Sequence, residues 1–151
     1  MRIVIQRVTE ASVSVDEEVV GAVGQGFMIL LGVEDADNEE DADWLAKKVA
    51  SLRVFDDEAG VMNKDIRQVD GGALVVSQFT LYASYKKGNR PSWFRAAKHD
   101  HSEPLYRYFC EQLERLLGTG KVARGVFGAD MRVALINDGP VTICMDSKNR
   151  E

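Results

Sequence analysis

Short runs with the two-residue period of β-strands fill the first quarter of the chain, and they constrain its fold more than any other feature. These runs span residues 2–8, 11–15, 19–23 and 27–33. Two turn-forming segments, Asp16-Glu17-Glu18 and Gly24-Gln25-Gly26, separate the later runs. Strands joined by short turns usually pair with their neighbours, so we expect the chain to begin with a β-meander.

Two later segments have the spacing of amphipathic helices. The first follows an acidic segment, residues 37–41, which suits a helix N-terminus, and its apolar side chains recur every three or four residues until it ends near Arg53. The second starts near Ser102, carries Pro104 in its first turn and is stopped by Gly118. Each helix therefore has one apolar face to cover a sheet.

Three more strands are predicted at residues 73–83, 131–136 and 141–145, and Asn137-Asp138-Gly139-Pro140 joins the last two. About seven strands and two helices in this order do not alternate strictly, which disfavours a doubly wound α/β fold. We therefore predict one α+β domain over residues 1–151, with a curled, barrel-like mixed sheet and two main helices. Such a sheet leaves an edge that a second copy often covers, which favours a homodimer.

Composition and charge narrow the classes of partner. The chain has 19 Lys and Arg against 24 Asp and Glu, a net charge of −5, which disfavours indiscriminate binding to DNA, RNA or anionic membranes but leaves room for a local basic patch. The longest apolar run, Phe27 to Leu31, is too short to span a bilayer, and charged residues interrupt the first segment. We expect a cytoplasmic protein, with Cys110 and Cys144 as reduced thiols in the core.

The most informative segment is Ser77-Gln78-Phe79-Thr80-Leu81. In a strand, Gln78 and Thr80 share a face that is otherwise apolar. One interpretation is an ordinary central strand that tolerates these polar groups, and spacing alone favours it. The other is a site where the glutamine amide and backbone N–H groups bind a developing oxyanion. Because no Asp, Glu or His lies at strand or helix spacing beside it, Thr80 lacks a base that would make it a nucleophile.

Two other segments allow both an ordinary and a functional interpretation. Gly139-Pro140 is a common turn sequence, but its peptide bond can also be cis, which points two successive carbonyl groups in similar directions. The segment with Lys86, Lys87 and Arg90 is the densest positive cluster of the chain. It is either a solvated loop or a phosphate-binding surface that Lys98, Lys121 and Arg124 could extend.

Familiar catalytic and metal-binding motifs are missing. The chain has no HExxH, GxSxG, P-loop or Rossmann glycine motif. His99 and His101 are two residues apart in a polar stretch, and we expect them in a solvated loop rather than at a metal. We therefore predict neither a metal site nor a cofactor.

Taken together, these segments resemble the D-aminoacyl-tRNA deacylase family, once called D-tyrosyl-tRNA deacylase. The Ser-Gln-x-Thr and Asn-x-Gly-Pro-Val-Thr signatures, in this order and spacing, are specific to that family. The resemblance runs nearly end to end and is carried by residues 1–8, 30–33, 52–55, 62–63, 77–81, 87–92, 127–131 and 137–142.

The resemblance implies a cytoplasmic homodimer that hydrolyses the ester between a D-amino acid and the ribose of the terminal tRNA adenosine, and also the glycyl ester of mischarged tRNA. In the family the Gly-Pro bond is cis and enters the active site of the opposite subunit. Each site would then combine one chain's Ser77, Gln78, Phe79 and Thr80 with the other chain's Gly139 and Pro140. Arg7 would hold the Gly-Pro loop, and the adenosine end would be lined by Phe127, Gly128, Ala129 and Met131.

Two alternatives from other classes remain at this point. A catalytically silent module that binds an RNA end or a small ligand would keep the pocket and the basic loop without hydrolysing an ester. A purely structural dimer would lose neither its fold nor its assembly when Thr80 is changed. Deacylation of D-aminoacyl-tRNA compared with L-aminoacyl-tRNA separates all three.

Overall fold

The fold is described from a computed structural model that covers residues 1–151. Eight strands, two α-helices and one 3-10 turn follow one another along the chain. Their bounds are β1 Arg2–Val15, β2 Glu18–Val23, β3 Gly26–Gly32, α1 Glu39–Ser51, β4 Phe55–Asp56, β5 Met62–Lys64, β6 Gly72–Ser77, the 3-10 turn Phe79–Tyr82, α2 His99–Leu117, β7 Val122–Arg124 and β8 Arg132–Asp146.

The long first strand organises the sheet. Strand β1 pairs antiparallel with β3 through its first half, with β2 through its second half, and with β8 along its other edge. Strands β6 and β7 then continue the sheet in parallel beyond β3. A Cβ on Gly21 would lie 2.6 Å from the carbonyl oxygen of Arg124, so β2 and β7 approach closely. The predicted α+β fold with a curled, barrel-like mixed sheet and two main helices is confirmed.

Alternation along β1 supplies two cores. Ile3 and Ile5 lie in the larger core, which α1 and α2 cover with their apolar faces. Beyond the middle of the strand, Val8 and Val13 lie in a second, smaller core inside the curled sheet. The helices therefore cover one face of the sheet, while the other face closes on itself. No helix is both long enough and apolar enough to cross a membrane.

The predicted strand over residues 73–83 is wrong beyond its first half. Strand β6 ends at Ser77, its last pair with β3 is Ser77 with Leu31, and β3 itself ends at Gly32. The chain then turns, and the Leu81 N–H donates to the Gln78 carbonyl at 3.3 Å. The turn requires glycine at position 32, because a Cβ there would lie only 2.9 Å from the Gln78 carbonyl oxygen and would collide with it. Gln78 and Thr80 therefore do not share a strand face.

The observed strand pairing also differs from the prediction near both ends of the chain. Strand β1 is continuous, where two runs were predicted, and β3 pairs with β1 rather than with β2, so the opening segment is not a simple meander. Strand β8 is likewise one strand of residues 132–146 rather than two strands joined by a turn. The short strands β4, β5 and β7 were not predicted, because two or three residues carry no readable period.

The two histidines and the two cysteines agree only in part with prediction. Helix α2 begins at His99, not near Ser102, so His99 and His101 lie in its first turn rather than in a solvated loop. Cys110 is buried as predicted, and burial raises the pKa of its thiol to about 12. Cys144 is exposed on β8, so its predicted place in the core is wrong.

Candidate active site

A cleft of about 250 Å³ opens where β3 and β6 end. It brings Ser77, Gln78 and Phe79 of the predicted site against the predicted adenosine-end residues, although these segments are far apart in sequence. The complete lining is Leu31, Val33, Val76, Ser77, Gln78, Phe79, Ala97, Ser102, Phe127, Gly128, Ala129, Met131 and Val133. The wall is mostly apolar with a few polar groups, as is typical of a small-molecule site.

The side chains of Gln78 and Thr80 bond to each other at the start of the 3-10 turn. The Gln78 Nε2 donates to the Thr80 Oγ1 at 2.5 Å. No carboxylate or imidazole hydrogen-bonds with the Thr80 hydroxyl, so no base is in place to remove its proton. The observed contact of the hydroxyl is therefore one that fixes the Gln78 amide.

The backbone of the 3-10 turn offers two free donors. The first N–H group that donates within the turn is that of Leu81. The N–H groups of Phe79 and Thr80 precede it and therefore have no partner within the turn. Phe79 itself lines the cleft. Two adjacent N–H groups, one on a residue of the cleft wall and the other on the next residue, are the kind of donor pair that stabilises the oxyanion of an ester under attack.

Residues 138–141 form a bulge in β8, called here the 138–141 bulge. In the pairing of β1 with β8, Gln6 lies opposite Thr142 and Val8 lies opposite Asn137, so the whole bulge faces the single residue Arg7. The Gly139-Pro140 peptide bond within it is cis. Strand pairing on both sides anchors the bulge at its two ends.

Arg7 is buried and holds the 138–141 bulge. Its Nε donates to the Asp138 carbonyl at 3.0 Å, and its Nη1 donates to the Val54 carbonyl at 2.6 Å. The carboxylates of Asp138 and Asp56 lie 3.4 and 3.7 Å away. Arg7 therefore ties the bulge to the segment between α1 and β4, with its charge balanced by two partly exposed carboxylates.

Not all predicted site residues meet within one chain. Arg7, Thr80, Gly139 and Pro140 are absent from the lining of the cleft, whereas the other seven predicted residues line it. Thr80 is linked to the cleft through its bond to Gln78. The 138–141 bulge and the cleft are thus separate features of a single chain.

Helix α2 positions Phe127, one of the predicted adenosine-end residues, through contacts that sequence reasoning missed. The His99 ring packs edge-to-face on Phe127, with 4.8 Å between ring centroids, and Tyr106 packs on the same ring at 5.6 Å. Burial raises the pKa of the Tyr106 hydroxyl, which donates to the Val75 carbonyl at 2.8 Å. Ser102 also lines the cleft, although no motif in the sequence marked it.

The basic loop is a short hairpin closed by reciprocal backbone bonds between Ser84 and Ser92, both 2.8 Å. Lys86, Lys87 and Arg90 are exposed, and none forms an ion pair. Lys121, which could have extended this cluster, instead pairs with Asp70 at 2.7 Å. Arg124 is half-buried on β7, whereas Lys98 is exposed. No group of three or more His, Cys, Asp and Glu side chains is arranged to hold a metal ion.

Comparison with known proteins gives consistent matches over the full chain. Residues 4–146 match the family model described as D-Tyr-tRNA(Tyr) deacylase. Proteins named D-aminoacyl-tRNA deacylase from Phocaeicola vulgatus and Bacteroides thetaiotaomicron are 63% and 58% identical, over all of both chains in each case.

Two solved structures are also similar. One, titled c-Myc DNA Unwinding Element Binding Protein, has a TM-score of 0.91 at 39% identity and covers 97% of this chain and 98% of its own. The other, titled as a probable eukaryotic D-amino acid tRNA deacylase, has a TM-score of 0.82 at 17% identity, with 95% and 97% covered. At that identity the second match shows the fold alone.

Proposed function

We propose a function on the premise that this chain belongs to the D-Tyr-tRNA(Tyr) deacylase family. The protein is a D-aminoacyl-tRNA deacylase, which releases a free D-amino acid and tRNA by hydrolysing the ester between them. The observation that most supports this function is the pair of free N–H groups, those of Phe79 and Thr80, beside a mostly apolar cleft. We take residues 1–151 as one deacylase domain acting in the cytoplasm, where aminoacyl-tRNA is made and used.

We assign the hydrolysis to water. The water oxygen forms a bond to the ester carbonyl carbon, and the oxyanion is bound by the N–H groups of Phe79 and Thr80. The neighbouring ribose hydroxyl of the substrate orients the water. The bond from that carbon to the ribose oxygen then breaks, and a proton from the water passes to the ribose oxygen. Ser77 and Gln78 shape the wall beside the ester.

We assign the choice of enantiomer to the opposite subunit of a homodimer. Gly139 and Pro140 of that subunit would enter the cleft and place their carbonyl groups against the substrate Cα, leaving room for a hydrogen but not for an L side chain. This assignment is supported by the 138–141 bulge, which Arg7 holds firmly although it contributes nothing to the cleft of its own chain. The adenosine would lie against Phe127, Gly128, Ala129 and Met131.

The proposed function predicts a particular order of substrates. D-aminoacyl-tRNA and glycyl-tRNA should be hydrolysed, since neither places a side chain against the carbonyl groups of Gly139 and Pro140, which act as a chiral filter. L-aminoacyl-tRNA should react at least about 100-fold more slowly. Release of the labelled amino acid from each tRNA measures the three rates. Equal rates for both enantiomers would contradict the assignment, and binding without any release would identify a silent RNA-end module instead.

Thr80→Ala tests the role of the hydroxyl. If Thr80 only positions Gln78, the variant should lose about tenfold in kcat/KM and keep measurable turnover, whereas loss of a nucleophile costs about 10⁴-fold or more. Thr80→Ser, which keeps a hydroxyl, serves as the matched control. Undetectable turnover in the alanine variant, with normal turnover in the serine variant, would instead make Thr80 the nucleophile.

Neutralising the basic loop tests its contact with phosphates. Lys86→Gln, Lys87→Gln and Arg90→Gln combined should weaken tRNA binding and reduce the slope of log K against log salt by about 2 to 3. The control neutralises two exposed lysines of α1, Lys47 and Lys48. The slope is obtained from tRNA binding constants measured between 50 and 200 mM salt. An unchanged slope in the triple variant would mean that the loop is merely solvated.

A further inference from the structure

Exposed aromatic side chains are confined to one segment of this chain. The chain has six Phe, four Tyr and two Trp, and the exposed ones are Phe79 (55%), Tyr85 (77%), Trp93 (41%) and Phe94 (75%). They lie within sixteen residues of sequence. Single exposed apolar side chains are ordinary, but a cluster of aromatic rings marks a binding surface. We call these four residues the aromatic surface.

The aromatic surface begins at the mouth of the cleft. Phe79 lines the cleft, and its ring meets that of Trp93 edge-to-face, with 5.4 Å between centroids and 84° between planes. Trp93 follows Ser92, whose backbone closes the basic hairpin with Ser84. A chain-like ligand whose end occupies the cleft and which leaves it past Phe79 would therefore cross Trp93.

The charges around the aromatic surface specify the kind of ligand. Lys86, Lys87 and Arg90 stand in the same hairpin without ion-pair partners, while Arg95 is already paired with Glu34 at 3.4 Å. Aromatic rings beside free cations suit single-stranded nucleic acid, whose bases stack on the rings while its phosphates meet the cations. A subunit interface would instead be depleted of lysine at its centre.

We propose that the aromatic surface binds the unpaired nucleotides that precede the terminal adenosine of the tRNA. Their bases stack on Trp93 and Phe94, and their phosphates contact Lys86, Lys87 and Arg90. This inference rests on the proposed function, because the terminal adenosine in the cleft fixes the direction of the strand. It gives the enzyme affinity for the tRNA end without any reading of tRNA sequence.

Two substrates of different length test the inference. One is D-aminoacyl-tRNA, and the other is the ester of the same D-amino acid with adenosine alone. Trp93→Leu combined with Phe94→Leu should lower the ratio of their kcat/KM values, tRNA over adenosine ester, about tenfold, because only the longer substrate reaches the aromatic surface. Trp44→Leu, which removes the other tryptophan, should leave that ratio unchanged. An unchanged ratio in the double variant would overturn the inference.

A binding measurement keeps the inference separate from the proposed function. In a Trp44→Phe variant, Trp93 is the remaining tryptophan, and uncharged tRNA should quench its fluorescence, whereas a blunt acceptor-stem duplex without unpaired nucleotides should not. If the unaltered protein hydrolyses neither substrate, the proposed function fails while this titration still decides the binding. Equal quenching by both RNAs, or none by tRNA, would overturn the inference. So would a change in the protein's assembly mass in the Trp93→Leu/Phe94→Leu variant, since the surface would then be a subunit interface.

Discussion

Replacing Gly139 by alanine is expected to lower kcat/KM for D-aminoacyl-tRNA by at least about 100-fold. Gly139 has a φ of +123°, which side chains rarely adopt, and a Cβ there would lie 3.1 Å from the Arg7 Nη2 and 3.2 Å from the Val141 Cγ2. The added methyl group therefore displaces the 138–141 bulge. In the proposed shared site it would also occupy the space left for the substrate Cα hydrogen. Steady-state deacylation of D-aminoacyl-tRNA measures the loss.

Gly120→Ala is the matched control for this substitution. Gly120 also has a positive φ, +79°, but a Cβ there would have no neighbour within 4 Å. Both alanine variants therefore bear a backbone cost of about 1–3 kcal/mol, and only the Gly139 variant should lose turnover. Equal turnover in the two variants would show that Gly139 does not contribute to the reaction.

Arg7→Gln is expected to produce the second large effect, on both stability and turnover. The guanidinium donates to the carbonyls of Val54 and Asp138 from a buried position, so its removal leaves the buried Val54 carbonyl without this donor and loosens the bulge. We expect the free energy of unfolding to fall by about 3 kcal/mol and kcat/KM to fall by about 100-fold. Denaturant unfolding and deacylation assays measure the two losses.

Two comparison variants show whether these losses come from removing an arginine charge or from removing its hydrogen bonds to the bulge. Arg67 lies on the surface and pairs with Asp65 at 2.7 Å, so Arg67→Gln should cost less than about 1 kcal/mol. Arg7→Lys keeps the charge, but one ammonium cannot reproduce the fork that reaches Val54 and Asp138, so it should restore only part of the turnover. Full recovery in the lysine variant would mean that charge alone, rather than the two-armed contact, holds the bulge.

Local sequence patterns predicted the elements whose burial is periodic. The helix over residues 39–51 starts where the acidic segment placed it, because the Asn38 side chain accepts from the Glu40 N–H and the Asp41 carboxylate accepts from the Asn38 N–H. Alternation along β1 likewise matched its buried face. In these segments the residues that decide the structure are close together in sequence.

The site depends on contacts that local patterns do not contain. Residues 77–81 have the period of a strand, but β6 stops at Ser77, where its neighbour β3 also ends. The 138–141 bulge exists because of its register against β1, which lies at the other end of the chain. Family resemblance proposed Arg7 as the holder of this loop, whereas its partners Val54 and Asp56 could be found only from the fold.

Mixing two disabled subunits tests most directly whether each site is shared by two chains. Gln78 lines the cleft, so Gln78→Trp should block it. Homodimers of Gly139→Trp and of Gln78→Trp should each be inactive, and random re-assortment should return about a quarter of the wild-type rate, because half of the dimers gain one intact site. As a control, a chain carrying both substitutions is mixed with wild-type chains. Its heterodimers should contain no intact site.

The two mixtures give opposite expectations under the two arrangements. If the site is shared, the mixture of the two single variants recovers activity, and the control mixture falls to about a quarter of the wild-type rate. If each chain works alone, the single variants recover nothing and the control mixture keeps about half. Recovery to about a quarter is the result predicted here, and its absence in samples whose heterodimers are verified by mass would contradict the placement of the filter in the opposite subunit.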